Sequence, residues 1–328
     1  MFRKVIAAVS VLTLASSGLA GCSASTAKDD GKLNIVCTIF PIYDWTKQIV
    51  GDSPDVELTY LLDNGADLHN YQPTADDMIT ISDCDVFIYV GGESDKWVDK
   101  TLSEARNKDM VVIDLMDILG ESSLHEEELK EGMEAEEEEE EEEEGEDEGP
   151  EYDEHIWLSL KNAVKCVEAI DSKLETADSE NSAAYQNNTK AYTEKLNSLD
   201  KDFTDMTSSA KNKTLIFGDR FPFRYLIDDY GLDYYAAFIG CSSESEASFE
   251  TITFLANKCD ELGAEYVFTI DESNCNIADA VIASTQSKSQ EILTLYSMQN
   301  VKITDNKQPA GYCDLMAKNL KILEKALK

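Results

Sequence analysis

From residue 33 onward, short apolar runs of strand length alternate with stretches whose apolar positions recur at helical spacing. Leu33 to Thr38, Val56 to Leu61, Val86 to Val90 and Val111 to Asp114 predict four strands, with helices at Ile42 to Val50, Ala75 to Ile81 and Lys96 to Ala105 between them. Strands alternating with helices in this way predict a parallel sheet covered on both faces. From Ile156 the pattern changes to two helices, Trp157 to Leu174 and Ser179 to about Ser209, the second carrying Tyr185, Tyr192, Leu196, Leu199, Phe203 and Met206 at 3- to 7-residue intervals. A helix of about 30 residues spans roughly 45 Å, enough to run the length of a two-lobed molecule as a stiff spine. Beyond it, Thr214 to Phe217, Tyr234 to Phe238, Tyr266 to Ile270 and Ile292 to Leu295 predict four more strands. Helices at Tyr225 to Asp229, Phe249 to Leu262, Ile277 to Gln286 and Leu315 to Leu327 accompany them, so the second half repeats the first. The expected fold class is α/β: two similar lobes, each a parallel sheet flanked by helices, joined by one long rigid helix.

The N-terminus departs from this pattern. Met1-Phe2-Arg3-Lys4, the apolar stretch Val5 to Leu14 and the small residues leading to Leu19-Ala20-Gly21-Cys22 form an export signal. Its end resembles the bacterial lipobox, in which the chain is cut before the cysteine and the thiol is acylated. Cys22 is therefore the expected lipidation site, the alternative being an ordinary secretory signal. The expected organisation is a signal at 1–21, a lipidated tether at 22–32, an N-terminal lobe at 33–175, a linking helix at 176–210 and a C-terminal lobe at 211–328.

Charge modifies this picture in one place. Asp and Glu number 66 against 28 Lys and Arg, a balance that argues against nucleic acid, whose phosphates need a basic surface. Residues 126–154 hold 20 carboxylates and one lysine and so account for −19 of the net −38. Mutual repulsion and scarce apolar residues predict a disordered, solvated loop at 126–152 within the N-terminal lobe. Such a loop either concentrates divalent cations by its negative potential or serves only as a solubilising segment.

Beyond Cys22 there are seven cysteines, Cys37, Cys84, Cys166, Cys241, Cys259, Cys275 and Cys313, with no C-x-x-C pair to support a zinc ribbon or redox dithiol. Cys37 and Cys84 lie in apolar runs and read as small core residues. Of the three histidines, His125 opens the acidic run and reads as incidental. His69 follows a predicted strand in a loop of turn residues, and His155 emerges from the acidic run just before a predicted helix. Loops beyond strand ends of an open α/β sheet are where ligands bind. Absence of H-E-x-x-H, G-x-S-x-G and P-loop motifs argues against a hydrolase or NTPase.

Several segments carry a family resemblance. Thr38-Ile39-Phe40-Pro41-Ile42-Tyr43-Asp44, Gly65 to Thr74, Asp85 to Gly92 followed by Trp97, Asp153 to Ala163, Tyr225 with Asp229 to Leu232, and Met316 to Leu320 occur in order. Together they resemble the zinc- or manganese-binding lipoproteins that serve as substrate-binding components of ABC importers (cluster A-I), and in particular the zinc-binding members. The resemblance covers nearly the whole chain after the signal, and it implies two lobes joined by one long helix. It also implies two metal ligands from each lobe, commonly three histidines and a carboxylate. His69 and His155 match the N-terminal pair. The family's C-terminal histidine falls at Gly218 and its late carboxylate at Tyr296, so the substitutes are Asp219 and, after the strand Tyr266 to Ile270, Asp271 or Glu272. Asp219 beside Arg220 is equally readable as half of a structural ion pair.

Two imidazoles with one or two carboxylates suit Zn2+, and Mn2+ as carboxylate content rises. The resemblance therefore implies a non-enzymatic lipoprotein on the extracytoplasmic face of the cell membrane. Its partners would be a divalent metal ion, the membrane through its lipid, and an ABC transporter permease, with no nucleic acid. The alternative is a protein of the same fold that binds manganese or another solute, or acts as an adhesin.

Overall fold

A computed structural model describes residues 31–134, 151–242, 246–303 and 310–328. The expected signal, Cys22, the tether up to residue 30 and the centre of the acidic segment, 135–150, lie outside the described residues. The first half runs β1 (Leu33–Cys37), α1 (Phe40–Val50), β2 (Val56–Tyr60), α2 (Ala75–Asp83), β3 (Val86–Tyr89), α3 (Trp97–Ser103), β4 (Val111–Asp114) and α4 (Leu115–Leu119). Its four strands form one wholly parallel sheet in the order β2-β1-β3-β4. Ile35, Val36 and Cys37 of β1 and Val86, Phe87 and Ile88 of β3 are all buried, as expected for central strands covered on both faces. Thr74 starts α2 with a reciprocal capping box to Asp77, which ends the long loop that carries His69.

Two helices follow, α5 (Leu160–Ala177) and α6 (Ser182–Ser208). Trp157 and Leu158, expected to open the first of them, instead belong to a single 3-10 turn, Ile156–Leu158, and Ser159 caps α5 by accepting from the Asn162 N–H. The 27 residues of α6 span roughly 40 Å. Tyr185, Tyr192, Leu196, Leu199 and Phe203 are its buried stripe. That stripe, rather than helix propensity, holds the helix in place.

The second half runs β5 (Thr214–Ile216), β6 (Arg220–Phe221), α7 (Arg224–Tyr230), β7 (Asp233–Tyr235), β8 (Phe238–Ile239), α8 (Phe249–Leu262), β9 (Tyr266–Ile270), α9 (Asn276–Ser284), β10 (Glu291–Leu295) and α10 (Tyr312–Ala326). Strand β5 pairs in parallel with β7, β9 pairs in parallel with β10, and a parallel bridge between Phe217 and Phe268 joins the two pairs. The resulting order, β7-β5-β9-β10, is the permutation of the first sheet. One expected strand, Tyr234 to Phe238, is interrupted: the buried Ala236 and Ala237 separate β7 from β8, and β8 pairs with the short, unanticipated β6.

The acidic segment is not solvated throughout. Glu126 bridges to Tyr152, Lys130 pairs with Asp233 at 2.5 Å, and the Glu134 N–H donates to the Ala237 carbonyl at 3.0 Å. Residues 126–134 are thus folded against the second half, which corrects the expectation of disorder for that stretch. One hydrophobic cluster runs from Ile35 and Trp157 to Phe217 and Met316, so both halves share a core. Phe40, Phe203 and Phe217 are fully buried in it, each worth about 1.5–3 kcal/mol of transfer free energy.

Candidate metal centre

His69 sits in a 3-10 turn, Leu68–Asn70, whose start is capped by the Asp67 carboxylate accepting the His69 N–H at 3.2 Å. His155 follows the same local device, with Asp153 Oδ1 accepting the His155 backbone N–H at 2.8 Å. These two aspartates set the direction of the two imidazoles. Their Nε2 atoms converge to 3.1 Å. His155 is wholly buried, and the His69 side chain is only 4% exposed.

Each ring is braced from behind. Asp153 Oδ1 lies 2.8 Å from His155 Nδ1. Ser94 Oγ lies 2.9 Å from His69 Nδ1, and Glu154 Oε2 lies 3.5 Å from it. The other Glu154 oxygen accepts the Ser94 N–H at 2.6 Å, which links the two braces into one network. Acceptors at both Nδ1 atoms leave both Nε2 lone pairs directed at a common point, the arrangement a metal ion needs. Burial, then His155, then Arg220 push the His69 pKa well below its ordinary value, so this ring is neutral at neutral pH, the form in which an imidazole can bind a metal.

The second half contributes residues that sequence reasoning passed over. Among the described residues, one group of three His, Cys, Asp or Glu ligand atoms lies within 4.8 Å of one another: His69, His155 and Cys241. The fourth neighbour is Gln299, 1% exposed, whose Nε2 lies 2.7 Å from both imidazole Nε2 atoms and whose Oε1 is buried without a partner. Cys241 stands two residues beyond β8, in a loop strapped to the His69 loop by Arg220, which binds both the Asp67 carboxylate and the Ser242 carbonyl. Gly240 is pressed against the ring: a Cβ there would stand 2.9 Å from His155 Cε1. The signal available for Cys241 was its place in a run of turn residues, Gly240-Cys241-Ser242-Ser243, just past a strand end.

The proposed substitutes lie elsewhere. Asp271 spends its carboxylate on the loop after β10, accepting from the Ser297 N–H at 2.6 Å and the Ser297 hydroxyl at 2.7 Å. It positions the loop that carries Gln299 instead of meeting the histidines. Asp219 accepts the Arg220 N–H at 2.9 Å and the Ile270 N–H at 3.4 Å, holding the end of β5 to β9. Glu272 has a left-handed backbone, φ 62°, and with Asp219, Arg220 and Asp271 lines a neighbouring polar cavity of about 230 Å³, whose wall also includes Asn70 and Asn300 but neither histidine. Gly218 has no room for a side chain, since a Cβ would stand 2.5 Å from the Ala278 Cα. Tyr296 is clamped to α10 through both of its backbone polar groups by Asn319, at 2.8 and 2.9 Å, with Lys318 over its ring.

The remaining candidates are structural. His125 pairs with Asp228 at 3.2 Å and packs edge-on against Tyr225, apart from the histidine pair. Cys37, Cys84, Cys166 and Cys259 are buried, unpaired core residues. The carboxylate of the half-buried Glu127 is shielded from solvent near Cys241, and burial, reinforced by Asp153, pushes it up to about 7. No helix among the described residues is long and apolar enough to cross a membrane.

Residues 35–326 match the family described as zinc-uptake complex component A, periplasmic (ZnuA). The chain is 34% identical over 309 residues to the zinc-binding lipoprotein AdcA of Streptococcus pneumoniae, covering 93% of this chain and 58% of that protein. It therefore spans little more than half the length of that relative. It is 30% identical over 332 residues to the high-affinity zinc uptake system protein ZnuA of Bacillus subtilis, covering 100% of this chain and 99% of that one. Among solved structures it resembles the Zn(II)-bound ZnuA-like domain of S. pneumoniae AdcA, with a TM-score of 0.69 and 29% identity over 90% of this chain and 99% of that one. The periplasmic zinc-binding protein TroA of Treponema pallidum shares the fold, with a TM-score of 0.72 at 21% identity over 90% of this chain and 99% of that one.

Proposed function

We propose, because the chain belongs to the zinc-uptake complex component A family, that it captures Zn2+ between its two halves and hands the ion to an ABC importer. The observation that carries this reading is the pair of buried imidazoles whose Nε2 atoms converge to 3.1 Å with both Nδ1 atoms braced. Such a pair is built to hold a cation, and its neutral His69 is ready to do so without losing a proton. The ion is cargo. A hydrolytic zinc site would need an open coordination position with a general base beside it; the amide of Gln299 lies where such a position would be.

Cys22 serves as the membrane anchor through acylation, keeping the protein at the extracytoplasmic face beside its permease. Cys22→Ser is expected to release the protein from the membrane fraction, and a variant still bound to membranes would defeat that part of the proposal. Capture is tested by titrating the purified chain with zinc against a competing chelator. One tightly bound equivalent, lost when His69 and His155 are both changed to Ala, is the expected result; unchanged binding in that variant would contradict it.

A further inference from the structure

We propose that the Cys241 thiolate is the third ligand of this metal and the Gln299 side-chain oxygen the fourth, so that the site is a mixed sulfur–nitrogen one that selects zinc against manganese. The inference rests on the capture reading above and deepens it.

Three observations on different elements converge. Cys241 Sγ and the two imidazole nitrogens lie within 4.8 Å of one another. Ligand atoms around a tetrahedral zinc, at about 2.0–2.1 Å for nitrogen and 2.3 Å for sulfur, stand roughly 3.3–3.6 Å apart, so closing the group on an ion takes movements of about an ångström. The Gln299 side chain is 1% exposed and its Oε1 has no hydrogen-bond partner, although its amide touches both histidines. A buried carbonyl oxygen without a partner costs free energy, and rotation about the last side-chain torsion brings it to the histidines in place of the nitrogen. A cation there satisfies it. The third observation is the rigidity of the approach: Gly240 in contact with the His155 ring and Arg220 bound to both the Asp67 and Ser242 loops leave Cys241 little freedom to lie elsewhere.

The chemistry follows from the donor set. The thiol loses its proton to solvent as the metal–sulfur bond forms. Two neutral imidazoles, one thiolate and one neutral amide oxygen carry a single negative charge and no carboxylate. Soft thiolate ligation favours zinc and other thiophilic ions, whereas manganese prefers carboxylate and water oxygens. Selection against manganese is therefore assigned to Cys241.

Cobalt(II), a spectroscopic stand-in for zinc, tests this on the full chain. A tetrahedral visible spectrum together with an intense near-ultraviolet thiolate-to-cobalt band, at one equivalent, is expected. That band should vanish in Cys241→Ser and persist in Cys275→Ser and Cys313→Ser. The serine variant should retain zinc binding through its two histidines, weaker by at least about tenfold. Cys241→Asp should narrow the preference for zinc over manganese. Cobalt bound without the charge-transfer band, or a band lost on changing another cysteine, overturns the inference and leaves histidine capture standing. Failure of wild-type protein to bind either metal overturns both. The wild-type spectrum is decisive even where a variant misfolds.

Discussion

The two halves share one strand permutation, yet they treat the metal differently. In the first half, two loops turned by Asp67 and Asp153 present imidazoles whose far nitrogens are held at 2.9 and 2.8 Å by Ser94 and Asp153. In the second half the equivalent strand ends are closed to ligands: Gly218 is packed against the α9 backbone and Tyr296 is clamped by Asn319. The polar side chains that reach the histidines come instead from positions further along, Cys241 beyond β8 and Gln299 four residues beyond β10. A repeated sheet fixes where loops emerge. It leaves open which residue of each loop faces the cleft.

Removing the first half's contribution should have the largest effect. His155→Ala and His69→Ala should each weaken zinc binding by about a hundredfold or more, near 2.8 kcal/mol, in a chelator-competition titration. Loss of similar size on changing His125, which pairs with Asp228, would place the metal elsewhere.

The braces come next in size. Asp153→Ala removes the acceptor that orients the His155 ring and its backbone N–H. Changes to such supporting acceptors cost roughly 10–100-fold in metal affinity. About tenfold is expected here, with folding retained.

Asp271 offers a test from the other side, since its carboxylate holds the loop after β10 and stands outside the histidine group. Asp271→Ala leaves the Ser297 N–H and hydroxyl without their acceptor, which should lower stability by about 1–3 kcal/mol in denaturant unfolding of the metal-free protein. Zinc affinity should fall only a few-fold, through the loosened Gln299 loop. An effect on affinity matching that of a histidine, without loss of metal-free stability, would restore Asp271 as a ligand. The smallest effect is expected for Glu272→Ala, which alters only the wall of the neighbouring cavity.

Much of this was legible in the chain. Eight apolar runs of strand length, the long α6 stripe and the loop positions of His69 and His155 follow from periodicity and turn chemistry, which are local. What escaped was tertiary. The break of the expected strand Tyr234 to Phe238 at Ala236 and Ala237 is set by pairing with β6 and by the Ala237 N–H reaching the Asp219 carbonyl, contacts no local pattern encodes. That break carries the chain to Cys241. Gln299 was missed because a neutral amide carries no ligand signature of its own; its role rests on being buried against two imidazoles. Charge repulsion and scarce apolar residues predict disorder for the N-terminal flank of the acidic run, 126–134, whereas Lys130 and the Glu126–Tyr152 bridge tie it down.

Zinc is expected to sit between the two imidazoles of the first half. An X-ray data set from zinc-loaded crystals, collected on either side of the zinc absorption edge, locates the ion without reference to any variant. One anomalous peak is expected, within about 2.0–2.1 Å of the Nε2 atoms of both His69 and His155. A peak in the cavity lined by Asp219, Asp271 and Glu272, or on the acidic segment with none at the histidines, would contradict it.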